Sequence, residues 1–464
     1  MTFGIQLFTI LNNAICAIYT LKDMQVLHDE APVCSFGEFS FFLLMWQFII
    51  FFWKRVALTI NLCYNFFVKT CYGGESMINV IDLFSGAGGL TFGFSHRIRA
   101  NKFVRNKKFH FIFANEFNHS AATAFSTNFP QIPLLECDIA DIDINYLKGK
   151  NIDTNVAVDL VIGGPPCQSY STVGKRQYDQ RAKMYKEYTR ILSIFRPTMF
   201  IFENVTGLLS MKNDKNQPVM NDIVALFNHI DDTLGYRLYP KVLNAKNYGV
   251  PQSRERVFIV GIRSNVDYEW NYPNPTNDGI NTPYLTVSDA ISDLPPLAYG
   301  ETADQYNLNP QTDYQTLLRG NQFDLLDHSC GTYGEKITAV IQAVPQGEGR
   351  PYINRLVENG QLDRKFFLTS GYDNTYGRLW WDRPCTTITN SLGTPSALRC
   401  IHPLQNRALS TREGARIQSF PDSFHFCGTK YERNSQVGNA VPPLVAIALA
   451  KQVEKIPFEN FRNG

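Results

Sequence analysis

From Met77 onward, short apolar runs alternate with amphipathic stretches along the chain. The runs are rich in β-branched and aliphatic residues and predict strands at residues 78–84, 109–114, 156–162, 199–202 and 257–261. Between two of them, apolar residues recur at helical spacing over residues 184–196. Strands separated by helices of this length indicate a parallel sheet covered on both faces. The pattern therefore predicts an α/β fold with a doubly wound, Rossmann-like sheet.

The alternation stops beyond about residue 265, where proline, glycine, asparagine and aromatic residues dominate up to about residue 375. This shift predicts a second, smaller and irregular domain. Regular patterning returns near residue 410, and residues 444–453 are apolar enough to form a helix that packs back on the sheet. The predicted organisation is a doubly wound domain at 77–275, an irregular domain at 276–434 and a returning segment at 435–464.

The first 76 residues differ from the rest of the chain. Residues 39–53 carry no charge and are followed by Lys54 and Arg55, but the run is shorter than the roughly 20 residues of a membrane span. The beginning also lacks the basic start of a signal peptide. Besides an extension of an unfamiliar kind, two interpretations stay open: a membrane-associated extension, or an upstream segment before a true start at Met77. The second is favoured.

Composition narrows the class of protein. A hydrophobic share of 44% with 13% aromatic residues is typical of a globular chain, and a formal charge of +2 does not by itself indicate nucleic acid. Any basic surface must be local. The ten cysteines are scattered, without the paired spacing of zinc sites. We therefore expect reduced thiols, a cytoplasmic location and no metal.

Three acidic or glycine-rich strand ends suggest a nucleotide-like ligand. The first predicted strand closes on "DLFSGAGGL", residues 82–90, whose glycines let a ligand approach backbone amides. Glu116 ends the second strand and can hold both ribose hydroxyls, and Asp138 can accept from an adenine amino group. Each alone could be a tight turn or a solvated carboxylate. Together, without a phosphate clamp, they favour S-adenosylmethionine over a dinucleotide.

A thiol and a carboxyl group follow two further strands. Cys167 in "GGPPCQSYS" sits at a stiff strand-to-loop corner, and Glu203 in "FENV" ends the next strand. Buried cysteines are usually inert packing. A thiol beside a carboxyl group, however, suits conjugate addition to a ring whose nitrogen takes up a proton. Arg254 and Arg256 in "QSRERV" could hold a carbonyl oxygen or phosphate, or form a surface pair.

In this order the blocks resemble those of the DNA cytosine-5 methyltransferases, particularly the bacterial restriction-modification type. The resemblance spans residues 78 to about 453 and rests on "DLFSGAGGL", "NEF", "CDI", "GGPPCQSYS", "FENV", "QSRERV", "RALSTREGARIQSFPDSF" and "QVGNAVPP". Ser169 and Tyr170 depart mildly from the commoner residues of the family at these positions.

The resemblance implies a reaction and a role for each chemical residue. Cys167 would attack C6 of a flipped-out cytosine, Glu203 would protonate N3, and Arg256, with Arg254 in the same block, would hold O2. C5 would then accept a methyl group from S-adenosylmethionine. Because the glutamate must hold a proton near neutrality, we predict that Glu203 is buried with a raised pKa.

It also implies sites for the cofactor and for DNA. The cofactor would be bound by Asp82, Phe84, Ser85, Gly86, Ala87, Gly88, Gly89, Leu90, Glu116, Phe117, Asp138, Ile139, Gly164, Pro166, Asn439 and Val441. The loop after the thiol would close over DNA through Gln168, Ser169, Ser171, Lys175 and Arg176. Residues 276–434 would form the target-recognition domain and hinge. The expected partners are double-stranded DNA and a cognate restriction endonuclease, and the expected state is a monomer.

Competing interpretations remain at the level of sequence. The usual RNA cytosine methyltransferases carry their thiol on the strand where this chain has Glu203, and the Cys-Phe-Thr signature of a transfer-RNA subfamily is absent. A catalytically inactive DNA-binding homologue is a further alternative. A dinucleotide-dependent oxidoreductase would leave Cys167, Glu203 and Arg256 unexplained. The DNA recognition sequence cannot be derived from the chain.

Overall fold

Seven strands form one sheet within residues 77–166 and 184–462, the part of the chain that the computed structural model describes. A separate two-stranded hairpin consists of β2 and β3. The strands are β1 (Ile78–Leu83), β2 (His96–Arg99), β3 (Lys102–Arg105), β4 (Phe109–Glu116), β5 (Leu134–Glu136), β6 (Leu160–Gly163), β7 (Met199–Val205), β8 (Tyr236–Asn244) and β9 (Glu255–Arg263). Across the sheet the order is β5-β4-β1-β6-β7-β9-β8.

The sheet is parallel from β5 to β7, as the alternating pattern predicts. The predicted strand at 257–261 differs, because β9 runs antiparallel to both β7 and β8. Only residues 245–254 connect β8 to β9, and so short a connection cannot make the crossover that a parallel pair requires. Because the strands from β5 to β7 all run in the same direction, their carboxyl ends lie together on one side of the sheet.

Helices cover both faces of the sheet. The described helices are α1 (Gly89–Ser95), α2 (His119–Asn128), α3 (Ile144–Gly149), α4 (Met184–Phe195), α5 (Val219–Asn228), α6 (Val287–Ile291), α7 (Asp313–Arg319), α8 (Glu335–Ala343), α9 (Arg350–Glu358), α10 (Thr411–Ile417), α11 (Lys430–Asn439) and α12 (Pro443–Val453). Successive strand residues enter different cores: Val80 and Ile162 lie in one cluster, whereas Ile81 and Val161 lie in the other. The predicted helices at 184–196 and 444–453 are confirmed as α4 and α12.

The irregular stretch contains short helices and a small apolar cluster of its own. Val340, Ile341, Val344, Ile353, Phe366, Tyr376 and Ile401 form this cluster. Other parts of the stretch, such as Leu294 and Leu379, belong to the core under the sheet. Ser76–Gly464 together form one compact unit. The boundary at residues 275 and 276 therefore stays a prediction.

Several predictions from sequence fall on residues 1–76 and 167–183, which lie outside the described part of the chain. They include both interpretations of the first segment. Among the described helices, none combines the length and the apolar character needed to cross a membrane. Within the same residues, no group of three or more His, Cys, Asp or Glu side chains is placed to hold a metal ion.

Candidate active site

The glycine-rich turn between β1 and α1 is packed on one side and open on the other. Its backbone reverses through three residues in the left-handed region, Phe84, Gly86 and Gly88. A Cβ at Gly88 would lie 2.3 Å from the Phe129 ring, whereas a Cβ at Gly86 would meet no atom within 4 Å. The turn therefore leaves space at Gly86 while its other glycines allow close packing.

Glu116 reaches over this turn from the carboxyl end of β4. The backbone N–H of Gly86 donates to its Oε2 at 2.8 Å, and the N–H of Asn118 donates to its Oε1 at 2.7 Å. Burial raises the pKa of Glu116, although these backbone bonds oppose the shift. A carboxylate oxygen has two lone pairs, so each oxygen can still accept from a ligand hydroxyl. The next residue, Phe117, exposes 73% of its surface beside this group.

Two buried polar side chains at the end of β1 have atoms without a partner. The Thr91 hydroxyl donates to Asp82 Oδ2, but Oδ1 of this fully buried carboxyl group has no hydrogen bond in the described residues. The Ser85 hydroxyl is likewise without one. Burial raises the pKa of Asp82 to about 7, and the charge of Glu116 adds to the shift. Buried polar atoms usually have partners, so these point to a polar ligand.

Other residues predicted to bind the cofactor lie near the carboxyl ends of the parallel strands or against the glycine-rich turn. Asp138 is exposed, and its carboxylate accepts from Ala140 N–H at 3.0 Å at the start of a short helix that contains the buried Ile139. A Cβ at Gly89 would lie 2.4 Å from the Val441 carbonyl oxygen, which brings the α11–α12 turn against the glycine-rich turn. Asn439, at the end of α11, is exposed.

Glu203 lies beside the segment that leads to Cys167. Gly163 in β6 pairs with Phe202 in β7, so the two strands end side by side. A Cβ at Gly164 would lie 2.6 Å from Glu203 Oε2, and Asn204 Nδ2 donates to Pro165 O at 3.3 Å. Cys167 lies just outside the described residues, as do the predicted DNA contacts Gln168, Ser169, Ser171, Lys175 and Arg176. The described segment that leads to Cys167 thus ends at Pro166, near the carboxyl group of Glu203.

Glu203 is buried, with 8% of its surface exposed. Arg256 Nε lies 3.2 Å from Glu203 Oε1. Burial raises the pKa of Glu203, and the guanidinium groups of Arg256 and Arg254 oppose the shift without reversing it. Both the burial and the raised pKa were predicted from sequence and are confirmed. A raised pKa favours the protonated carboxyl group, the form that can give a proton to a ring nitrogen.

Arg254 makes contacts of a different kind. It is 2% exposed, and its guanidinium donates to the carbonyls of Ile388, Gly438 and Ala440 at 2.8 to 3.0 Å. These bonds fasten the start of β9 to the segment that carries Asn439 and Val441. The described contacts are those of a structural link, and a catalytic role for Arg254 stays a prediction.

Comparison with known proteins identifies the family. The model of the C-5 cytosine-specific DNA methylase family matches residues 78–455, most of the chain. The chain belongs to this family. It is 33% identical over 397 residues to the Type II methyltransferase M.DdeI of Desulfomicrobium norvegicum, with 82% of this chain and 90% of that protein covered. It is 32% identical to M.AgeI of Thalassovita gelatinovora, with 81% and 99% covered.

A solved structure agrees with the fold. A putative DNA modification methyltransferase encoded within an E. coli prophage superposes with a TM-score of 0.61 at 24% identity, covering 83% of this chain and all of that one. The DNA cytosine-5 methyltransferase described here therefore has the Rossmann-like sheet of S-adenosylmethionine-dependent methyltransferases, as predicted.

The residues of the glycine-rich turn fit the methyl donor that this family implies, S-adenosylmethionine. The open space at Gly86, the oriented carboxylate of Glu116 and the unpartnered oxygens of Asp82 and Ser85 are suited to a ligand with hydroxyl and amino groups. No phosphate-binding loop is required, because this cofactor carries no phosphate.

Reasoning from sequence missed Thr91. Its hydroxyl holds the buried carboxyl group of Asp82 from the first turn of α1. The signal was a hydroxyl residue two positions after the glycine run, on a helix whose other residues are mostly apolar. In the sequence such a residue looks like any other helix residue, because only the folded turn brings the Thr91 hydroxyl next to Asp82 at the end of β1.

Proposed function

We propose that this methyltransferase modifies C5 of a flipped-out cytosine within a specific duplex sequence, through a covalent adduct between Cys167 and C6. The observation that carries the proposal is Glu203, a buried carboxyl group with a raised pKa beside the chain that leads into Cys167. A thiol and an acid are both needed, because cytosine C6 is a poor electrophile until the ring is protonated.

In this proposal the side chains act in sequence. Glu203 donates a proton to N3 while the Cys167 sulfur forms a bond to C6, and Arg256 donates to the carbonyl oxygen at O2. C5 becomes nucleophilic and accepts the methyl group. S-adenosylmethionine, when bound, supplies that group from a sulfonium. The C5 proton then leaves to solvent and N3 returns its proton to Glu203. The bond between sulfur and C6 breaks to restore the ring and to release Cys167 as the thiolate, the form in which it attacks.

Around the methyl donor, Glu116 would hold the ribose hydroxyls and Asp138 with Ile139 the adenine. Phe84, the residues from Ser85 to Leu90, and Phe117 would surround the rest with Gly164, Pro166, Asn439 and Val441. The loop from Gln168 to Arg176 would close on the duplex once the base has left the stack, a step that costs a few kcal/mol.

The cellular role follows from the relatives, which are named as Type II methyltransferases. We place this enzyme in a restriction-modification system, where it would act as a cytoplasmic monomer on the site cut by a partner endonuclease. Residues 276–434 would select that site. RNA methylation and DNA binding without catalysis are the alternatives that the experiment below separates.

The test uses the full chain, unmethylated bacterial DNA and S-adenosylmethionine, followed by bisulfite sequencing, with Cys167→Ala and Cys167→Ser as matched variants. We expect protected cytosines within one short motif and their loss in both variants. Methylation that persists in Cys167→Ala would contradict the covalent route. Methylation of RNA alone, or DNA binding without methylation by the unaltered enzyme, would favour the respective alternative.

A further inference from the structure

The β2–β3 hairpin carries a concentration of positive charge that the reaction does not use. No aspartate or glutamate lies between Asp82 and Glu116 in the sequence. The same interval contains Arg97, Arg99, Lys102, Arg105, Lys107 and Lys108. Because the whole chain has a formal charge of only +2, the rest of the chain is net negative. This segment is therefore the local basic surface that overall composition conceals.

The hairpin register sorts its side chains onto two faces. Ile98 pairs with Phe103, and both pack against the core under the sheet, where Phe103 meets the edge of Phe92 at 5.1 Å. Side chains alternate along a strand, so the opposite face carries Arg97, Arg99 and Lys102. All three are exposed. Near its tip the hairpin is thus apolar inward and basic outward, and Val104, which pairs with Arg97, adds one apolar side chain to the outward face.

Its backbone is fixed at the tip and at the base. Ala100 and Asn101 both have positive φ, as a two-residue hairpin turn requires, and Asn101 Nδ2 donates to Asp313 O at 3.0 Å. At the other end, the buried side chain of Asn106 donates to Glu454 Oε1 at 2.6 Å. The basic side chains are therefore presented from a rigid support.

No carboxylate of the described residues forms an ion pair with Arg97, Arg99 or Lys102. Arg99 and Lys102 even face each other directly across the hairpin, where like charges disfavour pairing. Arg97 and Arg99 are two residues apart on one strand, which places them about 6.6 Å apart. A DNA strand carries a charge every 3.4 Å or so along its axis, so alternate phosphates can match such a row.

The hairpin lies at the amino-terminal ends of the parallel strands, whereas Glu203 lies near their carboxyl ends. Ile78 N–H donates to Lys108 O at 2.8 Å, and Ile78 pairs with Phe109, so the hairpin ends where β1 and β4 begin. β1 has six residues, which puts roughly 20 Å between its two ends. We propose that the outward face of the hairpin, Arg97, Arg99 and Lys102, binds the phosphate backbone of duplex DNA without regard to sequence, at a surface separate from the cytosine site.

Salt-dependent binding of a short mixed-sequence duplex to the full chain tests this proposal. Each phosphate contact contributes about 0.9 to the slope of log affinity against log salt. For the triple variant R97Q/R99Q/K102Q, the slope should therefore fall by roughly 2 to 3 relative to the unaltered enzyme. The matched control K148Q/K241Q/K455Q removes the same charge from scattered exposed positions. It should leave the slope unchanged.

A charge-conserving variant, R97K/R99K, should keep the slope of the unaltered enzyme. Equal slopes in the triple variant and the unaltered enzyme, or equal losses in the triple variant and its control, would overturn the proposal. The proposal would also be overturned if the triple variant lost binding to polyglutamate but kept its binding to the duplex. The partner of the hairpin would then be an acidic protein. The assay needs no methyl transfer, so its result is independent of the test on Cys167.

Discussion

At the scale of single residues, the site is defined by carboxyl groups whose surroundings differ. Glu203 and Asp82 are both buried and both have raised pKa values, but Arg256 lies beside Glu203 whereas Asp82 has only the Thr91 hydroxyl. Asp231 is partly exposed, and its hydrogen bonds from Thr233 and its ion pair with Arg196 lower its pKa to about 2. The surroundings of an acid rather than its residue type therefore set its pKa: burial raises the pKa of Glu203 and Asp82, whereas Arg407 lowers that of the equally buried Glu413.

Glu203→Gln should lower kcat by roughly 10²- to 10⁴-fold, the usual contribution of a positioned general acid. Binding of S-adenosylmethionine should be unchanged, because Glu203 does not belong to the glycine-rich turn. In the unaltered enzyme, the acid acts only while protonated, so kcat/KM should fall as pH rises through its raised pKa. Single-turnover rates of both enzymes measured across pH check the loss of rate and the pH dependence. Full turnover by Glu203→Gln would show that Glu203 is not the general acid.

Asp82 should make stability depend on pH. Its pKa of about 7 in the folded protein exceeds the ordinary aspartate pKa of 3.8, so its contribution is fully present below pH 3.8 and is lost as pH rises to about 7. At 1.36 kcal/mol per unit, the loss is of the order of 4 kcal/mol. Asp82→Asn should flatten this dependence in urea unfolding measured at several pH values, whereas the exposed Asp214→Asn should not. An identical pH profile for both variants would contradict the raised pKa.

At the scale of elements, the cofactor turn depends on close contact between α1 and α12. A Cβ at Gly93 would lie 2.2 Å from the Ala446 Cβ and 2.6 Å from backbone atoms of Ala446 and Ile447. The two helices therefore touch through glycine, and α12 follows directly on the turn that holds Val441 beside Gly89. Separating the helices would also move one wall of the cofactor site.

Gly93→Ala should lower the free energy of unfolding by about 1 to 3 kcal/mol, because a methyl group in this contact overpacks the core. Its matched control is Gly149→Ala, where a Cβ would meet no atom within 4 Å. Urea denaturation of both variants gives the comparison. Equal stability of the two variants would mean that α1 and α12 can separate without cost.

At the scale of the whole molecule, buried arginines link segments within residues 276–434 that are far apart in the sequence. Arg416 on α10 donates to both Asp422 and Asp293, and also to Ala290 O at 3.0 Å on α6. Arg407 makes a two-pronged contact with Glu413 at 2.6 and 2.7 Å. These charges are almost wholly buried, so each depends on its partners being in place.

Arg416→Met should destabilise the enzyme by about 3 to 5 kcal/mol. It removes the cation nearest to two buried carboxylates, which keep only the longer contacts of Asp293 with Arg319 and of Asp422 with Arg412, at 3.7 and 3.9 Å. Lys365→Ala removes an exposed ion pair with Asp363 and should change stability by less than about 1 kcal/mol. Thermal unfolding of the two variants tests the contrast. Similar shifts in Tm would show that the buried network relaxes when its arginine is removed.

The sequence by itself determined the local periodicities, and through them the parallel strands β1, β4, β6 and β7, the helices α4 and α12, and the order of the chemical blocks. It also placed Glu116 and Glu203 at strand ends, because a strand's end is marked by where the apolar run stops. It did not predict the short parallel strand β5. The predicted roles of Cys167 and the loop after it, by contrast, remain predictions, since these residues lie outside the described structure.

Only the tertiary structure decided the direction of β9, the bond from Thr91 to Asp82, the carbonyl contacts of Arg254 and the outward face of the basic hairpin. Each of these features depends either on contacts between segments far apart in the sequence or on the way a turn reverses the chain. The hydrophobic period of a single segment encodes neither kind of information. Local pattern fixes which face of an element is apolar. The partner that covers this face, and the burial that shifts a pKa, come from packing of the whole chain.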